Sequence, residues 1–417
     1  MIGTSVDIRN LRRPNATPAL RFSAYALAAS LALPGEQAWA LGSDTVFINA
    51  NAGVSYNSNV FLLDSGVNPQ GSDHQDSFIY SYGVGLTADV PYSRQRFQAS
   101  LNVTDNIYSS FHQLNYVGGS GRAAWLWQVG DDFNGDLGVS VSQTLQNYSY
   151  TTVSTQKNVV QNINYFFDPR YRIAPNFELQ AGLNYTTARN SADSADVNDT
   201  NTLAGNLGLA YVTPTGNQVG LQFQTWKTDF PEQVAPTNDY RDNRVATFFN
   251  WALTGASLID GSVGYKWRSH DDVPQRDFSG WTASTGWTWT PTGRTQMRLL
   301  FVRDVGGVDD LTATYARTYT VSVNPTYQLT SKMTLNGTAQ YQALSFFGNT
   351  GFVNTNTTSG TLAGRDDKIY TLGLGLGYQV TRVFSMGLNY TWSHRNSNVA
   401  GGDFDDNVVL LSGSVTF

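Results

Sequence analysis

The chain has 417 residues and a formal net charge of −6, with 41% hydrophobic but only 14% charged residues. Glu occurs three times and Lys five times, which excludes the charged helical surface of an ordinary soluble protein. The absence of cysteine excludes disulfides, cysteine nucleophiles and cysteine metal sites, and the acidic balance argues against nucleic-acid binding. With 39 Gly and 13% aromatic residues, the composition favours strands and tight turns.

The first 40 residues have the pattern of a secretory signal peptide. Several Arg residues precede a short apolar run at residues 22–33, and Ala38-Trp39-Ala40 then forms the small-x-small pattern of a cleavage site. The run is too short to span a bilayer, which takes about 20 residues of helix. We predict a cleaved signal peptide at residues 1–40 and a single domain at residues 41–417.

Apolar and polar residues alternate along the mature chain. Phe97 and Leu101, for example, alternate with Arg96, Gln98 and Asn102, and a period of two gives a strand one apolar and one polar face. The same pattern occupies residues 78–88, 97–103, 137–141, 177–185, 259–267, 335–341 and 372–378. These segments predict an all-β protein.

The connections between the predicted strands alternate between short and long. The short turns are centred on residues 91–94, 130–132, 168–176, 213–217, 254–257, 291–294, 329–332 and 381–382. The longer polar loops lie at residues 57–75, 105–115, 147–156, 189–199, 227–241, 269–276, 303–310, 345–365 and 393–405. Together they delimit about eighteen strands, with sixteen as the alternative count.

An even number of strands, with both termini at the short-turn end, is typical of a transmembrane antiparallel up-and-down β-barrel of the bacterial outer membrane. Its short turns are periplasmic and its long loops extracellular. Strands of soluble sandwiches and lipocalin-like barrels also alternate between apolar and polar residues, with the apolar face buried inside. Eighteen strands, however, enclose a lumen too wide for side chains to fill, so the apolar face must point outward. Aromatic residues near both strand ends also match the girdles found at membrane interfaces. We therefore expect an integral outer-membrane protein whose apolar face contacts lipid.

The last strand carries an assembly signal. Val409, Leu411, Val415 and the terminal Phe417 alternate to the end of the chain, which resembles the C-terminal strand that the barrel assembly machinery recognises. We expect this machinery, the outer-membrane lipids and lipopolysaccharide to be partners.

Along each strand, the positions that alternate with the apolar ones are expected to face the lumen, and they carry a mixed set of polar residues. The charged lumen candidates are Arg96, Arg122, Glu178, Arg244, Lys266, Arg268 and Arg298. Together with many amides, they suit a hydroxyl-rich saccharide or a non-selective aqueous pore. Because lumen substitutions change permeation more than folding, Arg96→Ala and Arg268→Ala are both expected to change selectivity and to leave folding nearly intact.

The sequence predicts no enzyme, no catalytic residues, no metal site and no cofactor, because no motif for these is found. One catalytic hypothesis remains, an outer-membrane hydrolase with an acidic and histidine site on its rim. Its candidates are His270-Asp271-Asp272, Asp309-Asp310, and His74 near Asp73 and Asp76. Paired carboxylates could share a proton and activate water. Alternatively, these acidic loops are simply solvated, or bridge lipopolysaccharide phosphates through divalent cations.

Several segments resemble a known family. They are residues 56–62 (YNSNVFL), residues 93–97 (SRQRF), Tyr108, Phe111, Leu114, residues 124–127 (AWLW) and Gly130. The chain resembles the exosortase-associated outer-membrane barrels of exopolysaccharide biosynthesis and export, most closely before about residue 140. The resemblance implies a porin-like barrel that passes polysaccharide through its lumen, with polysaccharide and periplasmic export components as partners. Without it, the residues indicate a general or solute-specific diffusion porin.

Overall fold

The computed structural model describes residues 45–148, 155–307, 315–347 and 364–417. The predicted signal peptide at residues 1–40 lies outside the described residues. The strands are β1 (Val46–Asn57), β2 (Ser77–Tyr92), β3 (Gln95–Tyr108), β4 (Tyr116–Val129), β5 (Phe133–Leu145), β6 (Val159–Ala174), β7 (Phe177–Asn190), β8 (Thr200–Val212), β9 (Gln218–Asp229), β10 (Tyr240–Thr254), β11 (Ser257–His270), β12 (Phe278–Thr292), β13 (Thr295–Gly307), β14 (Tyr315–Gln328), β15 (Met333–Phe347), β16 (Asp366–Gln379), β17 (Phe384–Ser397) and β18 (Phe404–Thr416). Single 3₁₀ turns occur at His112–Leu114, Asp193–Asn198 and Pro274–Arg276.

The strands form one closed antiparallel barrel. Each strand pairs with its neighbours in the sequence, and β1 pairs with both β2 and β18, so that all eighteen strands belong to one sheet. This confirms the predicted up-and-down barrel and its eighteen strands, and shows that the alternative count of sixteen was wrong. Closure leaves no unpaired sheet edge, which is what allows strands to cross a bilayer. No helix in the described ranges is long and apolar enough to span a membrane.

The two faces of the wall differ as the alternation predicts. Large apolar side chains on one face remain exposed in the isolated chain, including Val84 at 61%, Leu221 at 57% and Leu374 at 55%. The opposite face of the same strands carries Asn, Gln, Ser, Thr, Gly and charged residues. A soluble protein rarely exposes apolar residues over such a continuous band. This face is therefore the one that contacts lipid.

The polar face is the concave one. Arg244 on β10 reaches past β11 to donate a 2.8 Å hydrogen bond to Thr282 on β12. Arg298 on β13 likewise reaches Asp260 on β11 at 2.8 Å. Side chains can meet across two strand spacings, about 10 Å, where the wall curves toward them. The polar residues therefore line the lumen.

Two boundary predictions were wrong. Residues 168–176 were assigned to a turn, but β6 continues through Asp168 and Pro169 to Ala174, and only two residues separate it from β7. At the long-loop end, five strands (β3, β9, β13, β15 and β17) continue three to five residues into the segments predicted as loops. β3 continues through Asp105, and β9 continues through Lys227 and Asp229. Many outward positions there are polar, for example Asp105, Lys227 and Asp229, so the regular alternation that identifies a strand is lost although the wall continues.

The long-loop end has a small hydrophobic core of its own. It joins loop L1 (residues 58–76) to loop L2 (residues 109–115) and to the ends of β3–β6. Its buried members are Phe61, Tyr108, Phe111, Leu114, Tyr116, Leu145 and Tyr148. The ring of Phe61 meets those of Phe111 and Tyr148 edge-on at 5.0 Å, a favourable aromatic geometry. L1 is thus fixed to one side of the rim.

Candidate functional site

The best-defined polar cluster of the lumen wall lies on β10–β13. At its centre, Arg268 forms a bidentate pair with Asp242, with N–O distances of 2.6 and 2.7 Å. Its guanidinium carbon lies 3.4 Å from the ring centre of Tyr240 and 4.9 Å from that of Phe278. The Arg268 and Asp242 side chains are only 6% and 9% exposed. This pair is part of the packed wall and is held by both charge and aromatic contact.

Three further cations lie along the same inner face of β10–β13. Lys266 lies 3.3 Å from Asp304, and Arg298 forms a two-point contact with Asp260 at 2.8 Å. Arg244 differs, because its hydrogen-bond acceptors are neutral. They are Thr282 Oγ1 at 2.8 Å, Gln224 Oε1 at 3.0 Å and Ser262 Oγ at 2.8 Å. Arg244 is therefore positioned on the lumen face without a carboxylate among these contacts.

The remaining predicted lumen residues are spread over β3, β4 and β7. Arg96 pairs with Asp89 in an exposed contact. Glu178 lies on the polar face of β7 and accepts a 2.8 Å hydrogen bond from Gln180. Arg122 stacks 4.5 Å above the ring centre of Phe166. The seven candidates thus divide into the β10–β13 cluster and three separate positions, and their effect on permeation stays a prediction.

Arg122 lies in a shallow recess of the lumen wall with a volume of about 280 Å³. The recess is lined by Ser100, Ser120, Gly121, Arg122, Ser140, Val141, Ser142, Asn162 and Asn164. Hydroxyls and amides can donate and accept hydrogen bonds. Together with the guanidinium of Arg122, they form a surface that can hydrate or briefly bind a polar solute.

Several lumen residues were not anticipated from the sequence. Phe166, Trp226 and Phe248 occupy positions in register with polar lumen residues, so their side chains belong to the inner face. Asp168, which the sequence places in a turn, lies on β6 directly opposite Asp136 of β5, where the alternation already predicts an inward side chain. Glycines on the neighbouring strands are the sequence feature that could have indicated these aromatic positions, because Phe166 and Phe248 each pack over such a glycine.

The rim candidates for hydrolysis do not assemble into one site in the described residues. His74 Nδ1 lies 2.7 Å from Asp73, and this hydrogen bond lowers the pKa of the Asp73 carboxyl. His270 Nδ1 lies 3.1 Å from Asp277 in a different loop. Asp309 and Asp310 lie outside the described residues. Within the described ranges, no group of three His, Asp or Glu side chains is arranged to hold a metal ion.

The C-terminal strand closes the barrel. Val409, Leu411 and Val415 lie on the outer face of β18, in register with Tyr390, Leu388 and Phe384 of β17. The Phe417 amide donates to the Ile48 carbonyl at 2.8 Å, and the Ile48 amide donates back at 3.1 Å. The predicted assembly residues therefore form part of the β1–β18 seam. Their recognition by assembly machinery stays a prediction.

The chain is similar to several known proteins. A family model described as "Putative beta-barrel porin 2" matches residues 252–417. Among solved structures, OpdK of Pseudomonas aeruginosa is similar at 15% identity and a TM-score of 0.47, over 89% of this chain and 99% of that chain. A BenF-like porin of Pseudomonas fluorescens Pf-5 is similar at 12% identity and a TM-score of 0.49, over 90% and 99%. A search of curated protein sequences returns no match.

The family match covers β11–β18 together with the end of β10, which includes the closing strand and three of the four cations of the β10–β13 cluster. The rest of the wall continues the same alternation to β1 without a break in pairing. The closed eighteen-stranded wall, its lipid-facing apolar band and this match agree with one another. The chain is a porin-like β-barrel integral to the bacterial outer membrane.

Proposed function

We propose that the protein is a passive diffusion pore for small hydrophilic solutes. The observation that carries this proposal is the polar inner face of a closed eighteen-stranded wall. Barrels of sixteen to eighteen strands are wide enough to leave an aqueous channel. Nothing in this function requires catalysis or a cofactor, because diffusion down a gradient needs only a hydrated path.

The charges of the wall favour weak selectivity over tight binding. Of the four cations in the β10–β13 cluster, three pair with Asp242, Asp260 and Asp304, so only Arg244 contributes an uncompensated charge there. On β5 and β6, Asp136 and Asp168 face each other, and the positive charges of Arg122 and Arg170 act on Asp168. Because most of these charges are balanced by nearby opposite charges, the lumen wall can orient dipolar solutes without trapping them.

Planar-bilayer conductance and liposome swelling test the proposal. The purified protein should conduct ions and should admit small sugars and amino acids at rates that fall steeply with solute size. Arg244→Gln should reduce the preference for anions in reversal-potential measurements, whereas Arg294→Gln, a matched change in an exposed turn, should not. A protein that folds in the bilayer but neither conducts nor admits solutes would refute a diffusion pore.

Polysaccharide export, which the family resemblance implies, stays the alternative. The polar lumen is compatible with a hydroxyl-rich chain, but it does not favour a polymer over a small solute. A deletion strain complemented with the intact gene separates the two functions. Loss of secreted polysaccharide would support export, and unchanged polysaccharide together with small-solute conductance would support diffusion.

A further inference from the structure

Three basic residues lie on the outer face of the barrel at its extracellular end. Arg303 on β13 is on the same face as Phe301, two residues away, which is 37% exposed to the lipid side. Lys368 on β16 shares its face with Tyr370 and Leu372, which are 40% and 51% exposed. Arg317 on β14 is in register with Val305, on the same outer face. We call Arg303, Arg317 and Lys368 the outward basic patch.

Register places these residues close together. Arg303 pairs with Tyr319, Tyr319 with Ala343, and Ala343 with Lys368, so they form one cross-strand row. In the row above, Arg317 pairs with Ser345. The small side chains of Ala343 and Ser345 thus separate Arg317 from Lys368, with about 10 Å between the two strands. We call the surface formed by Ala343 and Ser345 the floor of the patch. The long side chains of Arg317 and Lys368 can both extend over it toward one ligand.

Aromatic contacts hold the arginines in place. Arg303 stacks 4.1 Å from the ring centre of Trp281, and its Nε donates a 3.0 Å hydrogen bond to Tyr319. The guanidinium carbon of Arg317 lies 4.9 Å from the ring centre of Phe347. Arg303 is only 6% exposed and acts through its charge, whereas Arg317 is half-buried, and such stacking leaves in-plane N–H groups of its guanidinium available to an anion.

The cations of the patch form no ion pair with a described carboxylate. None of its three cations lies within 4 Å of a described carboxylate, and the buried Nε of Arg317 has no hydrogen-bond partner. Asp366 lies on the same face of β16 and pairs with Ser345, so it completes the row of Arg317 and is the one described carboxylate in these two rows. Elsewhere on the outer face, Lys227 pairs with Asp229 at 2.8 Å, and Arg189 lies 3.8 Å from Asp199. With three cations and one described carboxylate, the two rows on β13–β16 keep a net positive charge.

The level of the patch relative to the membrane identifies the ligand. The row immediately below it contains Tyr341 and Tyr370, whose rings lie 5.2 Å apart on the outer face. Exposed tyrosines of this kind sit at the headgroup level of a bilayer. Basic side chains directly above them meet anionic headgroups, and the outer leaflet of this membrane carries phosphorylated glycolipid. Arginine forms strong charge-assisted hydrogen bonds with phosphate.

We propose that the outward basic patch binds a phosphate group of an outer-leaflet glycolipid, the lipid A part of lipopolysaccharide. Arg317 and Lys368 contact the phosphate across the floor of Ala343 and Ser345. Arg303 adds positive charge from its position between Trp281 and Tyr319, while the aromatic row below contacts the acyl chains. This site lies outside the lumen and does not depend on what passes through the pore.

Native mass spectrometry of the detergent-purified full-length protein with bisphosphorylated lipid A tests the site. The double variant Arg317→Gln/Lys368→Gln should bind lipid A at least about tenfold more weakly, because two charge-assisted contacts are lost. The matched control is Arg241→Gln, which removes an outward cation at the same end on β10 and should change binding by less than about twofold. Heat-modifiable mobility and bilayer conductance should stay unchanged in all variants, which shows that each one folds.

Two further probes identify the chemistry. Dephosphorylated lipid A should bind as weakly to the wild-type protein as intact lipid A binds to the double variant, and millimolar inorganic phosphate should compete only weakly. Equal loss of binding in Arg241→Gln would overturn the assignment, as would undiminished binding of dephosphorylated lipid A. Inorganic phosphate binding as tightly as lipid A would show a free-anion site and refute the lipid.

Discussion

Replacing Arg268 with Ala would remove the cation of a buried pair in the lumen wall. The remaining Asp242 carboxylate would be left almost enclosed, because only 9% of its side chain is exposed. Breaking a buried ion pair by removing one partner costs about 3–5 kcal/mol. Loss of the contacts with Tyr240 and Phe278 adds about 1 kcal/mol. We expect the free energy of unfolding to fall by about 4–6 kcal/mol. The burial of this pair thus replaces the expectation, drawn from the sequence alone, that Arg268→Ala leaves folding nearly intact.

Urea unfolding in lipid vesicles, followed by tryptophan fluorescence, measures this change. Asp242→Ala alone should also be strongly destabilising, whereas the double variant Arg268→Ala/Asp242→Ala should cost much less than the sum, because no unpaired charge remains. The control is Arg96→Ala. Its side chain is 55% exposed in the pair with Asp89, so its loss should leave stability unchanged. A loss below about 1 kcal/mol for Arg268→Ala, or strictly additive single effects, would refute the buried-pair reasoning.

Three further predictions concern the lipid face, the rim and the seam. Leu374→Arg should cost about 2–4 kcal/mol in the same urea assay, because Leu374 faces lipid; Thr371→Arg on the lumen face should cost far less, and equal losses would contradict the parity assignment. Phe61→Ala, at 1% exposure in the rim core, should make L1 sensitive to limited proteolysis without unfolding the barrel; an unchanged cleavage pattern would show that Phe61 does not anchor the loop. Deletion of Phe417 should lower the amount of assembled protein in the outer membrane, measured by heat-modifiable mobility, and wild-type levels would argue against an assembly signal there.

The membrane-spanning part of each strand could be predicted because lipid on one side and water on the other impose a strict alternation. Phe97, Leu101 and their neighbours carry that signal without help from distant parts of the chain. The upper wall could not be predicted in this way, because both of its faces meet water once the strand leaves the lipid. Lys227 and Asp229 therefore appeared to belong to a loop, although they extend β9.

The partners of the lumen charges were harder to predict than the charges themselves. The alternation of apolar and polar residues is enough to place Arg268 on the lumen face. Its partner Asp242, however, follows a segment predicted as a loop, and only the register between β10 and β11 brings the two residues together. The same limit applies to the outward basic patch. Arg303 and Arg317 interrupt an apolar face, which from sequence alone looks like the end of a strand. Their common row with Lys368 depends on pairings across four strands.

The seam between β1 and β18 joins the two ends of the folded wall, with Asn49 opposite Thr416. Every other strand pair can form as soon as two consecutive segments of the chain are available, whereas this pair must wait for the last residues to be delivered. Contacts of such long sequence separation form slowly, because the entropy of bringing the ends together is lost before any bond repays it. Until then, β1 presents an open row of amide and carbonyl groups inside a membrane that cannot hydrate them. A partner that pairs temporarily with this edge would remove the largest barrier on the folding path.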